Sequence, residues 1–291
     1  MESRRVGGAA TPGHGDGSGG PREVEPLERA DERGVGGVRL AGGGRGGDVS
    51  VFGEGYAAEY DARWPDWSGG DITPFLIDRV RRKSRTANTW LDLCCGTGHV
   101  LARVMAAGFA ATGVDASRHQ LVHAKRHAPG AKLHCANICD VPLKGRFDVI
   151  TCLGGNINYL TKRGELQRAL RRMKRHLAPG GCVVIDTNTA VGLAATAGME
   201  HAQCSADRVL IVTMNYDEAR RLGHWYLTGF MKKGRLYRRY EEHHVQRAWE
   251  AADLEPRMTQ MGWRVSRCDS DTLGRARKDS NRLMVFGYAA G

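Results

Sequence analysis

The fold is most clearly predicted by one short segment, Leu91-Asp92-Leu93-Cys94-Cys95-Gly96-Thr97-Gly98. It continues an apolar, strand-like run that begins at Thr89, and its glycines end that run. Helical spacing resumes over residues 99–107. A strand that ends in a glycine turn and opens a helix lets the backbone approach a bound ligand closely, because glycine tolerates the torsions that such a turn requires. The stretch therefore predicts a first strand with a ligand site at its carboxyl end.

Strand-like and helix-like segments alternate around this stretch. Apolar runs predict strands over residues 89–94, 111–115, 131–136, 147–153 and 182–186, and helical spacing predicts helices over 72–83, 99–107, about 118–127 and about 164–177. The breaker cluster Pro179-Gly180-Gly181 is expected to form a turn before the strand at 182–186. Such an alternation predicts a mostly parallel sheet with helices on both faces.

The pattern changes after residue 200. Segments 208–216, 223–231, 234–242 and 243–248 are typical of consecutive strands, some of them separated by turn residues. Short turns can join only antiparallel neighbours, so an antiparallel β insert is expected at about 205–248. A helix at about 249–261 and two final strands, at 263–268 and 282–289, complete the chain.

The N-terminal segment differs in composition from the rest. Residues 1–48 contain glycine runs such as Gly42-Gly43-Gly44 and few large apolar side chains. A segment of this kind buries too little apolar surface to offset its ordering entropy, so residues 1–48 are expected to be a disordered leader. Residues 49–291 are then expected to form one folded domain.

Charge and cysteine content indicate the compartment and the partners that the protein is expected to have. The net charge of +11 falls outside the leader, but the basic residues are spread over several segments rather than gathered in one patch. The eight cysteines form no CxxC pair, which favours a reducing compartment over a disulfide framework. No apolar run approaches the roughly 20 residues of a membrane helix. A cytoplasmic protein with no membrane partner is expected.

The glycine turn resembles a known family motif. Asp92 followed by Gly96 and Gly98 is similar to motif I of class I S-adenosylmethionine-dependent methyltransferases, an acid followed by G-x-G-x-G, with Cys94 in place of the first glycine. The dinucleotide pattern GxGxxG instead requires a last glycine where this chain has Leu101.

Three further matches follow in the family's order. Asp115 ends the second predicted strand, where the resemblance implies a carboxylate that accepts both ribose hydroxyls of the cofactor. Residues 135–143 resemble the G-D-x-x-x-L-P-F segment, with Asn137 in place of the aspartate and Ile138 beside it. The run 147–150 with Leu153 resembles the fourth strand, whose end faces the methionine part of the cofactor.

The resemblance implies a Rossmann-like, seven-stranded, mostly parallel sheet with an antiparallel last strand, and S-adenosyl-L-methionine as cofactor. The segment from Tyr56 to Trp64 resembles the aromatic lid of small-molecule methyltransferases. The implied cofactor-binding residues are Tyr56, Tyr60, Asp92, Cys94, Gly96, Gly98, Asp115, Asn137, Ile138 and Leu153.

The insert supplies the candidate catalytic residues Tyr226, His243 and His244, and it resembles inserts in N-methyltransferases of amino sugars and related amines. Adjacent residues on a strand point to opposite faces, so only one of the two histidines can line a pocket. Either histidine is a candidate general base. For the same reason the pair is not expected to hold a metal ion, and no metal ligand is predicted.

The favoured function is methyl transfer to a small-molecule acceptor, with N-methylation ahead of O- or C-methylation. A nucleic-acid methyltransferase is the first alternative, but the residues after the fourth strand, Gly154 to Tyr159, lack the proline turn of enzymes that methylate base nitrogens. Two more classes stay open, an NAD(P)-dependent oxidoreductase and a non-catalytic cofactor-binding scaffold. The acceptor stays open, as does a homodimer.

Overall fold

The computed structural model describes residues 51–67 and 71–290. The predicted leader, residues 1–48, lies outside the described residues. Within the described part, no helix is both long and apolar enough to cross a bilayer.

Eleven strands and seven α-helices make up the described chain. The strands are β1 (Thr89–Leu93), β2 (Ala110–Asp115), β3 (Lys132–Cys135), β4 (Phe147–Cys152), β5 (Leu177–Asn188), β6 (Glu200–Cys204), β7 (Arg208–Asp217), β8 (Leu222–Lys233), β9 (Leu236–Arg247), β10 (Arg264–Asp269) and β11 (Arg282–Tyr288). The helices are α1 (Glu54–Trp67), α2 (Thr73–Lys83), α3 (His99–Ala106), α4 (Arg118–His127), α5 (Glu165–His176), α6 (Ala190–Ala195) and α7 (Ala251–Gln260).

Seven strands form the central sheet, in the order β10-β11-β5-β4-β1-β2-β3. The strands from β1 to β5 run parallel, and β11 is antiparallel to both β5 and β10, so the predicted antiparallel last strand is confirmed. The strand order reverses between β1 and β4. In open α/β sheets ligands bind at the carboxyl ends of the strands beside such a reversal.

The two faces of the sheet are covered by different helices. Trp90 packs with residues of α2 and α3, such as Leu76 and Leu101. Leu91, the next residue, faces the other side and packs with residues of α5 and α7, such as Leu170. Successive strand residues point to opposite faces, so a continuous apolar strand such as β1 needs cover on both sides.

A separate antiparallel sheet has the order β6-β7-β8-β9. The predicted insert is thus confirmed as an antiparallel block, but it begins earlier, at Glu200, because the largely polar strand β6 carries no apolar alternation that would predict it. The prediction of two strands at 234–242 and 243–248 was wrong. These residues form the single strand β9, which pairs with β8 along its whole length. Neither Glu242 nor His243 is a turn-forming residue, so the chain continues as a strand at this point.

The predicted break at Pro179-Gly180-Gly181 was also wrong in position. The strand β5 begins at Leu177 and includes these residues, while its pairing with β4 shifts register between Phe147 and Val149. Gly180 has a φ of 70°, a left-handed conformation that glycine adopts at little cost. The breaker residues therefore form an irregularity within the strand instead of a turn before it.

Candidate active site

The loop after β1 has the backbone conformation that its glycines require. Cys94, Gly96 and Gly98 have φ angles of 58°, 53° and 85°. Cys94 thus adopts the left-handed conformation at the position where the methyltransferase motif carries a glycine. At Gly98 a Cβ atom would lie 2.8 Å from the Cα of Ala124, so only glycine lets the start of α3 pack this closely against α4.

Asp115 is fixed at the end of β2 by two backbone donors. Its Oδ2 accepts a hydrogen bond from the Gly96 N–H at 2.9 Å, and its Oδ1 accepts one from the Ser117 N–H at 2.8 Å. Burial raises the pKa of Asp115 above its ordinary value, although both backbone donors oppose this shift. The carboxylate therefore joins the glycine loop to the start of α4.

Asp92 lies at the end of a buried chain of polar side chains. The Trp90 indole N–H donates to Thr151 Oγ1 at 2.9 Å, and the Thr151 hydroxyl donates to Asp92 Oδ1 at 2.6 Å. Burial raises the pKa of Asp92 to about 7, despite the stabilising hydrogen bond from Thr151. The buried Asp92 carboxyl is therefore held in place by a chain of hydrogen bonds that begins at Trp90.

Aromatic side chains from α1 and the preceding residue Phe52 lie over this loop. The Phe52 ring centroid is 5.5 Å from that of Tyr56 and 6.0 Å from that of Tyr60. Burial, together with the nearby carboxylates of Asp115 and Asp92, raises the pKa of Tyr60 to about 12. The predicted lid segment is therefore a helix, and its Tyr60 faces the two acids.

A cavity of about 660 Å³ extends from the glycine loop to the inner face of the four-stranded sheet. Six of the predicted cofactor residues line it, namely Tyr56, Tyr60, Asp92, Cys94, Gly96 and Leu153. The other four, Gly98, Asp115, Asn137 and Ile138, are not among its lining residues. Asn137 is exposed and its Oδ1 accepts a hydrogen bond from the Cys139 N–H at 2.8 Å, whereas Ile138 packs in the core.

The far wall of the cavity is mainly apolar and comes from the four-stranded sheet. Leu210, Val212 and Leu227 point inward from β7 and β8 and are buried. Polar groups interrupt this wall at Gln246, whose Oε1 accepts a hydrogen bond from Asn188 Nδ2 at 2.9 Å. The cavity thus has a polar end at the glycine loop and an apolar end with a few fixed polar groups, as small-molecule sites usually do.

Tyr159 begins a hydrogen-bonded relay that leads away from the cavity. It lines the cavity, and its hydroxyl lies 2.7 Å from His244 Nδ1. His244 Nε2 lies 2.8 Å from Glu242 Oε2, and the backbone N–H groups of Phe52 and Gly53 donate to the two oxygens of this carboxylate. A carboxylate only accepts hydrogen bonds, so Nε2 carries the proton and a neutral His244 accepts the Tyr159 proton at Nδ1.

The two histidines of the insert lie on opposite faces of β9, as the sequence predicts. His244 is buried against the relay, while His243 stacks on Tyr226 with ring centroids 4.3 Å apart. His243 Nε2 also lies 3.0 Å from His224 Nδ1. His243 and Tyr226 are not among the residues that line the cavity, and Tyr226 is 43% exposed.

Several residues at the cavity were not predicted as site residues. Tyr159 lies beyond the carboxyl end of β4, a position that favours ligand contact in parallel sheets, and this signal could have identified it. Glu242 and Gln246 face the same side of β9 as His244, because they differ from it by two positions. Arg282, from β11, also lines the cavity and forms an ion pair with the buried Asp186.

The polar end of the cavity fits an adenosyl ligand. Within the part of the chain that the structure describes, the Thr97 hydroxyl and the Gln120 side-chain oxygen are buried without a hydrogen-bond partner. Both belong to the surroundings of the glycine loop, since Thr97 lies within it and Gln120 Oε1 is 3.8 Å from where a Cβ on Gly96 would be. Unpaired buried oxygens of this kind are costly unless a ligand or water supplies donors.

Comparison with known proteins agrees with the motifs. The family model for a methyltransferase domain matches residues 91–181, which run from β1 into β5. This match confirms that the segment is a methyltransferase domain, as the glycine loop and the residues after it predicted.

A curated relative is similar over part of the chain. The dTDP-4-amino-2,3,4,6-tetradeoxy-D-glucose N,N-dimethyltransferase of Saccharopolyspora spinosa is 37% identical over 133 residues, which are 45% of this chain and 52% of the relative. The chain thus matches about half the length of this protein.

Solved structures resemble the chain over most of its length. The sugar N-methyltransferase KedS8 of Streptoalloteichus is 25% identical, with a TM-score of 0.68 over 86% of this chain and all of that one. An S-adenosylmethionine-dependent methyltransferase of Clostridium acetobutylicum, 21% identical, has a TM-score of 0.71 over 81% of this chain and 98% of its own. The second likeness confirms the predicted Rossmann-like fold.

Proposed function

We propose that the chain is an S-adenosylmethionine-dependent N-methyltransferase whose acceptor is the amino group of an amino sugar or a related small amine. The observation that carries this proposal is the continuous cavity that joins the glycine loop to the inner wall of the four-stranded sheet. One end fits an adenosyl cofactor, and the other offers room and a few fixed polar groups for an acceptor. The names of the relative and of KedS8 support an amino sugar.

Residues at the polar end and beside it would hold the cofactor. The backbone of Gly96 and Cys94 would approach the cofactor closely. Asp115, which lies behind Gly96, would accept the ribose hydroxyls, and the exposed Asn137, next to the core residue Ile138, would meet the adenine. When bound, S-adenosylmethionine supplies an activated methyl group on a sulfonium. Tyr56 and Tyr60 would cover this end and exclude water from it.

The relay would receive the proton that the amine must lose. The Tyr159 hydroxyl donates a hydrogen bond to His244. Its oxygen therefore keeps lone pairs that can accept a hydrogen bond from an amine N–H. As the amine loses its proton, Tyr159 takes it up and passes its own proton to His244 Nδ1, and Glu242 stabilises the resulting imidazolium through Nε2. The apolar wall at Leu210 and Val212 favours the neutral amine over the ammonium ion, because burial of a charge is costly.

We also propose the division of the chain and its compartment. Residues 1–48 would be a leader and residues 49–291 the catalytic domain, and the enzyme would act in the cytoplasm. All eight cysteines lie in the described residues and are free, which is consistent with a reducing compartment.

The decisive experiment compares acceptors that differ in one atom. The full chain is incubated with S-adenosylmethionine and a dTDP-linked aminodeoxy sugar, the same sugar with a hydroxyl in place of the amine, and bulk tRNA. Mass spectrometry is expected to show one or two added methyl groups on the amine alone. Methylation of the hydroxyl sugar would refute N-methylation, and methylation of tRNA would restore the nucleic-acid alternative.

A binding measurement separates the cofactor from the acceptor. S-adenosylhomocysteine is expected to raise the melting temperature, because it binds the folded state only, whereas NAD is expected to leave it unchanged. Stabilisation by NAD and not by S-adenosylhomocysteine would overturn the proposed cofactor and favour the oxidoreductase alternative.

A further inference from the structure

A cluster of imidazoles surrounds one carboxylate outside the cavity. Asp61 on α1 lies between His99 at the start of α3 and two residues of α4, His123 and His127. None of the four lines the cavity, and the relay does not use them. The side chains of Asp61, His99 and His123 are largely buried, and that of His127 is 35% exposed.

The two carboxylate oxygens of Asp61 have different partners. Oδ1 lies 2.8 Å from His127 Nε2 and 3.3 Å from His99 Nε2. Oδ2 lies 2.8 Å from His123 Nδ1, and this same nitrogen is 2.6 Å from Arg126 Nη2. Asp61, His99 and His127 thus each offer one ligand atom, and these three atoms lie within 4.8 Å of one another.

These separations are close to the spacing of ligand atoms in a tetrahedral metal site. Nitrogen and oxygen ligands at about 2.0–2.2 Å from Zn²⁺ lie roughly 3.3–3.6 Å from one another. The separation of His99 Nε2 from Asp61 Oδ1, 3.3 Å, falls at the edge of this range, and that of His127 Nε2, 2.8 Å, requires the two atoms to move apart by roughly 0.5–0.8 Å. The His99 and His127 ring centroids are 4.2 Å apart, so the two imidazoles are already gathered on one side of the carboxylate.

We propose that Asp61, His99 and His127 bind one divalent ion of the zinc type, with a water molecule as the fourth ligand. Imidazole and carboxylate are the ligand set that favours such an ion. His123 would hold the second oxygen of Asp61 and orient it, as outer hydrogen-bond partners of metal ligands do. Arg126 contacts His123 and lies 4.0 Å from Oδ2, the carboxylate oxygen that the proposed site does not use as a ligand.

The position of this site gives the ion a structural role. It would tie α1 to α3 and α4, and α1 carries the tyrosines Tyr56 and Tyr60 that cover the polar end of the cavity. His99 directly follows Gly98, so the ion would also anchor the end of the glycine loop. Metal binding would therefore stabilise the fold through the lid helix, whatever reaction the cavity supports.

The test measures metal binding to the full chain, purified without a histidine tag and treated with a chelator that is then removed. Co²⁺ is expected to bind with one equivalent per chain and to give the intense visible absorption of a tetrahedral site, and Zn²⁺ is expected to displace it. Zn²⁺ is also expected to raise the melting temperature by a few degrees.

Variants of the partly exposed His127 test metal binding in a protein that is expected to stay folded. His127→Gln is expected to weaken Zn²⁺ binding by more than 100-fold, and His123→Gln by roughly 10-fold, the effect of losing an outer partner. His119→Gln, on the same helix but outside the cluster, is the matched control and is expected to bind as the wild type does. Unchanged Co²⁺ spectra and affinity in His127→Gln, or no stoichiometric binding by the wild type, would overturn the proposal.

Discussion

The two ends of the cavity are built in different ways. At the glycine loop, backbone N–H groups hold the acid, as Gly96 and Ser117 do for Asp115. At the four-stranded sheet, Tyr159, His244 and Glu242 form a chain of hydrogen-bonded side chains, and the backbone N–H groups of Phe52 and Gly53 hold only its outer end at Glu242. The first arrangement depends on chain conformation, while the second depends on the identity of residues far apart in sequence.

This difference suggests how the two ends can change. A site held by backbone donors tolerates little variation in its loop, and it suits a ligand that is the same in every relative. A site held by side chains on one face of a sheet can be altered one strand position at a time, without disturbing the fold. We expect the cofactor end to tolerate few substitutions and the side chains of the sheet end to determine which acceptor is used.

The largest effect is expected from the relay at the sheet end. Tyr159→Phe removes the hydroxyl, and His244→Gln removes its proton acceptor, so each is expected to lower turnover by about 100-fold, the lower range for loss of a general base. Binding of S-adenosylhomocysteine is expected to stay unchanged in both. The double variant is expected to lose no more than either single variant, because the two groups act as a unit. Turnover within two-fold of wild type in Tyr159→Phe would remove the relay from the mechanism.

The next effect tests the cofactor end. Asp115→Ala is expected to weaken S-adenosylhomocysteine binding by about 2–3 kcal/mol, the scale of lost charge-assisted hydrogen bonds. Calorimetric titration measures this loss, with the exposed Asp78→Ala on α2 as the control. An unchanged dissociation constant in a folded Asp115→Ala protein would mean that Asp115 only supports the loop.

A smaller effect is expected in the pH dependence of stability. The Asp92 carboxyl ionises near pH 4 in the unfolded chain, but burial raises its pKa to about 7 in the folded protein. The wild type therefore loses native stability as the pH rises from about 4 to about 7, and Asp92→Asn avoids this loss. Between pH 5.5 and 7.5 the stability of Asp92→Asn relative to wild type is expected to grow by about 2 kcal/mol.

Urea unfolding at the two pH values measures this difference, because the two proteins differ at one titratable side chain. The exposed Asp140→Asn serves as the control. If the difference in unfolding free energy between Asp92→Asn and wild type were constant across the interval, the Asp92 carboxyl would have its ordinary pKa in the folded protein.

The cofactor end was largely predictable because its signals are local. The order of Asp92, the glycines and Asp115 lies within one β-α-β unit, and the helix predicted at about 118–127 is confirmed as α4 (Arg118–His127). The family match over residues 91–181 confirms the methyltransferase prediction drawn from this segment. Local conformation and short-range packing decide these elements, so the sequence alone could predict them.

The sheet end was predicted only in outline because its contacts are long-range. Tyr159 and His244 are separated by 85 residues, and they meet because β9 packs against the segment 156–159 that follows β4. Glu242 and His244 are polar although they lie on the inward face of β9, so this strand lacks a clear apolar alternation. Two strands were therefore predicted in its place. The Asp61 cluster depends on the packing of three helices, and the sequence reveals only part of it, since His123 and His127 are four residues apart on one predicted helix.

The smallest effect is expected from the outer face of the four-stranded sheet. His243 and Tyr226 stack on each other and are not among the residues that line the cavity. His243→Gln and Tyr226→Phe retain similar size, so turnover on the identified acceptor is expected to stay within about two-fold of wild type, as for surface substitutions away from a site. His244→Gln, one position along the same strand, is the matched contrast. A large loss of turnover in His243→Gln, with intact cofactor binding, would show that the outer face takes part in catalysis, for example by contacting a second subunit. The assignment of catalysis to the inner face of β9 alone would then be wrong.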